Sequence, residues 1–277
     1  MGKGKLSGQR ALVTGASSGI GAELARELAR HGADLVLVAR RKERLEALAE
    51  ELSTAHGVDV AVEAADLMDA DARARLFAAT EQAGRPVDVL VNNAGFGAYE
   101  AVLGSTWEEL DGMLELNVRA LTHLTRLFAE AMVARGRGRI MNIASTGAYM
   151  ACPDFAVYTA GKAYVRNFTE ALDFELKGSG VRAIAICPGG TRTEFLEHAN
   201  QVLKPGSSLA MMSASRCARI SVKKMLRGRR TVVTGWLNVL AVTVMRFLPR
   251  CMIPWLANAL MKSGVEKGTK QVTAAAG

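Results

Sequence analysis

The chain has 277 residues, 49% of them hydrophobic and 22% charged, a composition that excludes a disordered or collagen-like polymer and suits one large α/β core. Net charge is +8 at pH 7, but its placement matters more: from His198 to Val265 there is no Asp or Glu, and there are eleven Lys or Arg, so the basic character belongs to the C-terminal quarter. Cys152, Cys187, Cys217 and Cys251 lie about thirty or more residues apart, and His31, His56, His123 and His198 are scattered, which predicts reduced thiols in a cytosolic compartment and no metal site.

The basic start "MGKGKLSGQR" runs straight into a strand with no apolar signal core, so no secretory leader is predicted, and Leu6 breaks the myristoylation pattern. "ALVTG" is the first strand, followed by a helix over "IGAELARELARHGA" that ends at Gly32. "DLVLVAR", "DVAVEAADL", "VDVLVNNAG", "GRIMNIAS" and "VRAIAICPGG" are further strands separated by helical patterns, and "RTVVTG" is a seventh. Strands alternating with helices imply parallel pairing through right-handed crossovers. The expected fold class is therefore α/β: a single doubly wound Rossmann-type domain with a mostly seven-stranded parallel sheet and a C-terminal hydrophobic helical extension.

Three motifs carry chemistry. "TGASSGIG", Thr14 to Gly21, opens a helix directly after a strand, and Gly15, Gly19 and Gly21 let the backbone approach a pyrophosphate at the helix N-terminus. At the end of the second strand, where an Asp or Glu would bind a ribose 2′-hydroxyl, stand Arg40 and Arg41, whose guanidinium groups suit a 2′-phosphate. Ser145 follows the fifth strand, and Tyr158 and Lys162 in "YTAGK" share one helix face, so the ammonium is expected to favour the phenolate while Ser145 donates to a substrate oxygen.

Together with Asp66 in "AADL", "NNAG" at Asn92–Gly95, Asn117 in "ELNV" and "PGGTRT" from Pro188, these motifs come in the order and spacing of the short-chain dehydrogenase/reductase family, which the chain resembles over residues 8–195. The resemblance implies an NADP(H)-dependent oxidoreductase acting on CH–OH or C=O groups, with carbonyl reduction the expected direction. Tyr158 would be the general acid/base. Lys162 would lower its pKa and bind the nicotinamide ribose, Ser145 would polarise the carbonyl, and Asn117 would hold a relay water. Gly15, Ser17, Ser18, Gly19, Ile20 and Gly21 would cradle the phosphates beside Arg40 and Arg41. Asp66 and Leu67 would contact adenine, Asn93, Ala94 and Gly95 would line the adenine-ribose side, and Pro188, Gly189, Thr191 and Thr193 would face the nicotinamide and pyrophosphate. The catalytic domain is expected over 6–235, with 193–230 closing over the substrate, and 236–277 as the extension. A homodimer or homotetramer is implied.

The substrate walls are expected to be apolar: Phe195, Leu196, Leu209, Met211 and Met212 on one side, Phe96 and Tyr99 on a second, Tyr149, Met150 and Phe155 on a third. This favours a lipophilic ketone or aldehyde, such as a 3-oxoacyl chain or a steroid-like molecule, over a sugar. The alternative is an NADP(H)-sensing regulatory module with little turnover. Arg216, Arg219, Lys223, Lys224 and Arg227 fall on one helix face, readable as a solvated face, a lipid-headgroup contact or a site for a phosphate-bearing acyl carrier; without a recognition motif, nucleic acid is not an expected partner. In "TVVTGWLNVLAVTVMRFLPRCMIPWLANALM", Arg246, Pro249, Arg250 and Pro254 interrupt an apolar run too short to span a bilayer. Its aromatic and basic mixture suits a pair of helices lying at the inner face of a membrane, a substrate lid or an oligomer contact, in a protein otherwise expected to be cytoplasmic.

Overall fold

The structure, a computed structural model, describes residues 4–82, 84–204 and 211–268; Leu209 and residues 269–277 of the extension lie outside them. The elements run β1 (Arg10–Thr14), α1 (Gly19–Arg30), β2 (Asp34–Ala39), α2 (Lys42–His56), β3 (Val60–Ala64), α3 (Ala70–Phe77), β4 (Val89–Asn92), α4 (Trp107–Leu114), α5 (Leu121–Ala134), β5 (Gly138–Ile143), α6 (Ala156–Glu175) and β6 (Val181–Cys187). Then follow β7 (Thr191–Arg192), α7 (Phe195–His198), β8 (Gln201–Leu203), β9 (Met212–Ser213), α8 (Ala214–Leu226), β10 (Thr231–Val233), α9 (Trp236–Met245), α10 (Ile253–Gly264) and β11 (Val265–Lys267).

Seven strands pair in parallel in the order β10-β6-β5-β4-β1-β2-β3. The two-residue period of each strand divides its side chains between two cores. Val13, Leu35, Leu37, Val91 and Met141 face α1, α2 and α8, meeting Leu24, Leu28, Leu45 and Val222. Leu12, Val36, Leu90 and Ile140 face the opposite way, against Leu76, Leu124, Phe128 and Met132 of α3 and α5. Because both faces are covered, the strands read as nearly continuous apolar runs, which is why their pattern is so plain in the sequence.

The basic residues of α8 stand away from this core. Cys217, Ala218, Ser221, Val222 and Met225 are buried, whereas Arg216, Arg219, Lys223 and Arg227 are exposed. Pro249 separates α9 from α10 as expected, but Pro254 does not break a helix; it sits in the first turn of α10, where its missing N–H costs nothing. Two π-helical turns, Ala78–Gln82 and Glu115–Ala120, and the short strands outside the main sheet have no counterpart in the sequence pattern. Of these strands, β11 pairs antiparallel with β8, folding the extension back onto the segment after β6.

Helix α6, which carries Tyr158 and Lys162, is fixed to the sheet at both ends of its buried face. Two turns after Lys162, Asn142 donates to Thr169 at 3.0 Å and accepts from Asn92 at 2.9 Å, linking β4, β5 and α6 through a buried polar chain. At the far end, buried Asp173 accepts from Arg182 at 2.7 Å and from the Ala183 N–H at 3.1 Å, with Arg230 at 3.0 Å. Burial pushes this carboxyl up, but the Arg182 and Ala183 hydrogen bonds and the two arginine charges outweigh it and hold it below the usual range. A depressed carboxyl stabilises the fold above the unfolded aspartate pKa of about 4 and loses that contribution as pH falls. Replacing Asp173→Asn is expected to lower the unfolding free energy by roughly 1–3 kcal/mol at pH 7. Denaturant titrations should show the gap to the parent protein closing below about pH 4.

Candidate active site

In a parallel sheet all C-terminal strand ends lie on one edge, and there the loops after β1, β2, β4, β5 and β6 enclose a cleft of about 1130 Å³. The loop after β1 forms one end. Gly15 and Gly19 both have positive φ, and a Cβ on Gly15 would lie 2.9 Å from the Ala94 Cα. A Cβ on Gly21 would strike the Gly15 carbonyl at 2.2 Å, so this glycine lets α1 start hard against the loop. Ser18, the N-cap of α1, makes no side-chain capping bond and the first turn holds no acid, which leaves the helix start available to an anion.

Arg41 closes that end. It donates to Ser17 Oγ at 3.0 Å, to Ser18 Oγ at 2.9 Å and to Glu194 at 3.1 Å, and Arg44 donates to the other Glu194 oxygen at 2.7 Å. The Arg44 hydrogen bond and that of Arg41 hold the Glu194 carboxyl below its usual range. Arg40 is exposed at the rim. Arg44 and Glu194 are partners that the motif reading omits, although both sit in plain view in "RRKER" and "TRTEF".

The loop after β4 is pinned to the glycine loop. Thr14 Oγ1 accepts from the Asn93 and Ala94 N–H groups at 2.9 and 3.0 Å, while the Asn93 amide donates to the Thr14 and Gly15 carbonyls at 3.0 and 3.2 Å. Gly95 and Gly97 then run past the catalytic candidates. A Cβ at Gly95 would lie 2.5 Å from Asn117 Oδ1, and one at Gly97 would lie 2.9 Å from the Phe155 and Tyr158 rings. Asn117 sits in the π-helical turn Glu115–Ala120, buried, donating to the Phe96 carbonyl at 2.7 Å and accepting from the Phe96 N–H at 3.1 Å.

Ser145 follows β5 by two residues and caps the short helical turn Thr146–Tyr149, accepting from the Gly147 N–H at 3.0 Å. Its hydroxyl also faces Tyr158. Tyr158 is 9% exposed and stacks on Phe155 at 4.3 Å, with Phe195 at 5.4 Å. Burial pushes the phenol up to about 12, against which the Ser145 hydrogen bond pulls down. Lys162, 5% exposed, is pushed down to about 8, again by burial. Its Nζ lies 5.7 Å from the Tyr158 ring centroid and donates to the Ile143 carbonyl at 2.8 Å. Burial thus dominates both groups in this apolar pocket, and the Lys162 ammonium is held by a backbone carbonyl.

The remaining candidates fall into place around this pair. Asp66 accepts from the Met68 N–H at 2.9 Å beside buried Leu67; the Pro188 carbonyl accepts from the Thr146 N–H at 2.8 Å; Thr191 donates to the Gly189 carbonyl at 2.9 Å; and Thr193 accepts from the Phe195 N–H at 3.3 Å. Ser17, Ser18, Ile20, Ala94, Thr193 and the others also line the cleft; Gly21 and Asn117 alone among the candidate site residues do not, each acting through a neighbour.

Of the expected apolar walls, Phe96, Met150, Phe155, Phe195, Leu196 and Met211 line the cleft, but Tyr99, Tyr149 and Met212 do not. Tyr99 packs edge-on behind Phe155, and Tyr149 stacks under Arg166 instead. A further wall comes from the extension, in line with the lid reading among its three alternatives: Met261, Ser263, Gly264 and Val265 form a roof, held by the β11–β8 pairing and a Lys267–Glu100 ion pair at 2.6 Å. Cys152 also lines the cleft, but burial, then the Asp154 charge, pushes its thiol up to about 11, so it is no nucleophile at neutral pH.

A buried hydroxyl pair beside a cation, at one end of an apolar cleft with an anion-binding loop at the other, is an arrangement for moving a proton to or from an oxygen next to a phosphate-bearing ligand. Comparisons with known proteins identify the family. A family model described as short chain dehydrogenase matches residues 9–204. The chain is 38% identical over 192 residues to a gluconate 5-dehydrogenase of Gluconobacter oxydans, covering 69% of this chain and 75% of that protein. Among solved structures, a short-chain dehydrogenase from Sphingobium yanoikuyae in complex with NADPH superposes with a TM-score of 0.77 at 31% identity, covering 87% of this chain and 97% of the other. A 7β-hydroxysteroid dehydrogenase superposes with a TM-score of 0.82 at 25% identity, covering 93% and 99%.

Keeping the Lys162 ammonium buried costs the fold roughly 3 kcal/mol at neutral pH, offset in part by about 1 kcal/mol from the Ile143 hydrogen bond. Because its folded pKa is about 8, below the ordinary lysine value of 10.5, that cost is full below pH 8 and vanishes as pH rises toward the unfolded value. Lys162→Met is expected to stabilise the protein by about 2 kcal/mol at pH 7, with the difference shrinking above pH 8 in chemical denaturation.

Proposed function

Because the chain belongs to the short chain dehydrogenase family, we propose that it is an NADP(H)-dependent oxidoreductase that reduces the carbonyl of a lipophilic ketone or aldehyde, or oxidises the corresponding alcohol. The observation that carries this reading is the meeting of Ser145 and Tyr158 at an apolar cleft whose far end is the Arg41–Ser17–Ser18 cradle.

The residues present fit the cofactor. Backbone at Gly15 and Gly19, which any side chain would crowd, and the uncapped start of α1 suit a pyrophosphate; Arg41 and Arg44, already gathered on a carboxylate, suit a 2′-phosphate. Asp66, Leu67 and Asn93–Gly95 would hold the adenosine end, and Pro188, Gly189, Thr191 and Thr193 the nicotinamide end. When bound, NADPH supplies the hydride.

The chain's own residues manage position and proton. Ser145 Oγ donates to the carbonyl oxygen and stabilises the negative charge that develops there. Tyr158 delivers its phenolic proton to the same oxygen. Its raised pKa keeps it protonated at neutral pH, which suits the reducing direction. Lys162, charged below about pH 8, binds ribose hydroxyls and accompanies the proton relay, while Asn117 fixes the Gly95–Phe96 backbone beside it. Phe155, Phe195, Met211 and the roof residues Met261 and Val265 exclude water and favour a hydrophobic carbonyl compound over a sugar. The likeness to a 7β-hydroxysteroid dehydrogenase supports a substrate of that character. In solution the protein works as a homodimer or homotetramer.

The test is an NADPH-depletion screen over chain-length-graded ketoacyl thioesters, steroids and aldehydes. Turnover should rise with substrate hydrophobicity; binding of NADPH without turnover of any carbonyl would overturn the reading. With an active substrate, Tyr158→Phe should lower kcat by about 10²- to 10⁴-fold while NADPH still quenches or shifts protein fluorescence. Arg41→Ala with Arg44→Ala should weaken NADPH by about 10- to 100-fold and leave NADH unchanged, in parallel KM measurements.

A further inference from the structure

Helices α9 and α10 are nearly bare of core contacts. Of ten residues α9 buries only Val242 and Met245, and of twelve residues α10 buries only Ala257. What they turn outward is strongly apolar: Trp236 is 72% exposed, Phe247 84% and Trp255 83%, with Leu240, Val244 and Leu260 exposed beside them. A patch of this kind needs a partner.

We propose that α9, the turn through Arg250–Met252 and α10 form a docking surface for an anionic lipid bilayer, on which the protein lies without crossing it. The charges select this occupant. Arg246, Arg250 and Lys262 are exposed within the patch, Arg246 and Arg250 pair with no carboxylate among the described residues, and no acid occurs from His198 to Val265. A second copy docking through the same face would set arginine against arginine with no acid to relieve them, whereas anionic headgroups complement them. Exposed tryptophan and phenylalanine next to arginine suit the headgroup boundary, where the ring is half-immersed and the guanidinium reaches water. At about 15 and 18 Å the two helices are too short to span a hydrocarbon layer of about 30 Å, and none of the described helices is long and apolar enough to cross a membrane.

The inner side of α10 adds a reason for the position. Ala257, Met261 and Val265 pack with the Phe155–Tyr158–Phe195 cluster, and Met261 and Val265 line the cleft. The apolar surface therefore borders the apolar cleft across the thickness of one helix, so a carbonyl compound dissolved in the bilayer would lie beside the site. That last consequence rests on the proposed substrate class; the docking itself does not.

Vesicle flotation of the full chain tests it, with phosphatidylcholine vesicles and with phosphatidylcholine–phosphatidylglycerol vesicles. The parent protein should float with the anionic vesicles and release on adding salt. Arg246→Gln with Arg250→Gln should partition about 30-fold less well. Trp236→Ser, Phe247→Ser and Trp255→Ser together should remain at the bottom, with circular dichroism and NADPH oxidation on a water-soluble ketone unchanged. A parent that ignores anionic vesicles overturns the proposal, as does a triple variant that floats like the parent. Conversion of an oligomer to monomers by the triple variant, with no parent flotation, overturns it in favour of a second copy. Loss of ketone turnover with flotation intact sinks the enzymatic reading alone.

Discussion

The hydroxyl of Thr14 joins the two halves of the sheet at the point where strand order reverses. β1 has β2 on one side and β4 on the other, though β4 begins 75 residues after β1 ends. At their C-terminal ends the chains diverge, one into α1 and one into the Asn93–Gly95 loop, and the gap between them is where a ligand can enter. Thr14 Oγ1 takes two backbone N–H groups across that gap, and the Asn93 amide returns two bonds to the opposite carbonyls. At about 1 kcal/mol net each, these bonds contribute modestly to stability. Their geometric effect is larger, because everything that follows in the site is measured from that pinned backbone.

Around it the molecule mixes a dry core with a polar seam. Asn92, Thr125, Asn142 and Thr169 are buried and bonded to one another between β4, β5, α5 and α6. Such a seam stabilises less than leucine would, but it admits only one register of α6 against the sheet, since a slipped helix would leave several buried donors unpaired. The register of α6 decides where Tyr158 and Lys162 meet Ser145. The candidate site therefore rests on a polar interior and holds a buried ammonium that the fold tolerates at a cost.

Most of the sheet was legible in the sequence because two-sided burial leaves unmistakable runs such as "DLVLVA" and "VRAIAIC", and the motif residues were legible because glycine, proline and YxxxK spacing report backbone shape directly. Other features left no comparable trace. The π-helical turn that buries Asn117 depends on one inserted hydrogen-bond register, to which residue type is indifferent. Tyr99 and Tyr149 looked like pocket residues because they are aromatic and adjacent to motifs, yet side-chain direction, invisible in a string, turns them behind Phe155 and toward Arg166. A lid from the extension was one of three readings, but the pairing that holds it was hidden: three residues, Val265–Lys267, find a strand partner about sixty residues away, too short a pattern to stand out. Glu194 was passed over because its partners, Arg41 and Arg44, lie some 150 residues earlier.

The cleft has two unlike sides. On one side Gly95 lines the cleft against Asn117, and Gly97 behind it abuts Phe155 and Tyr158, so closely that not even a methyl group fits. Across from them, Met211, Met261 and Val265 come from short segments that hold no part of the proton machinery. The site is thus a fixed mould facing a soft press. For anyone wishing to retune the substrate range, the glycine side offers no freedom, since each added atom there displaces the reacting groups themselves. The far wall can be recut first at Met211, which lies outside the cluster packed on Tyr158.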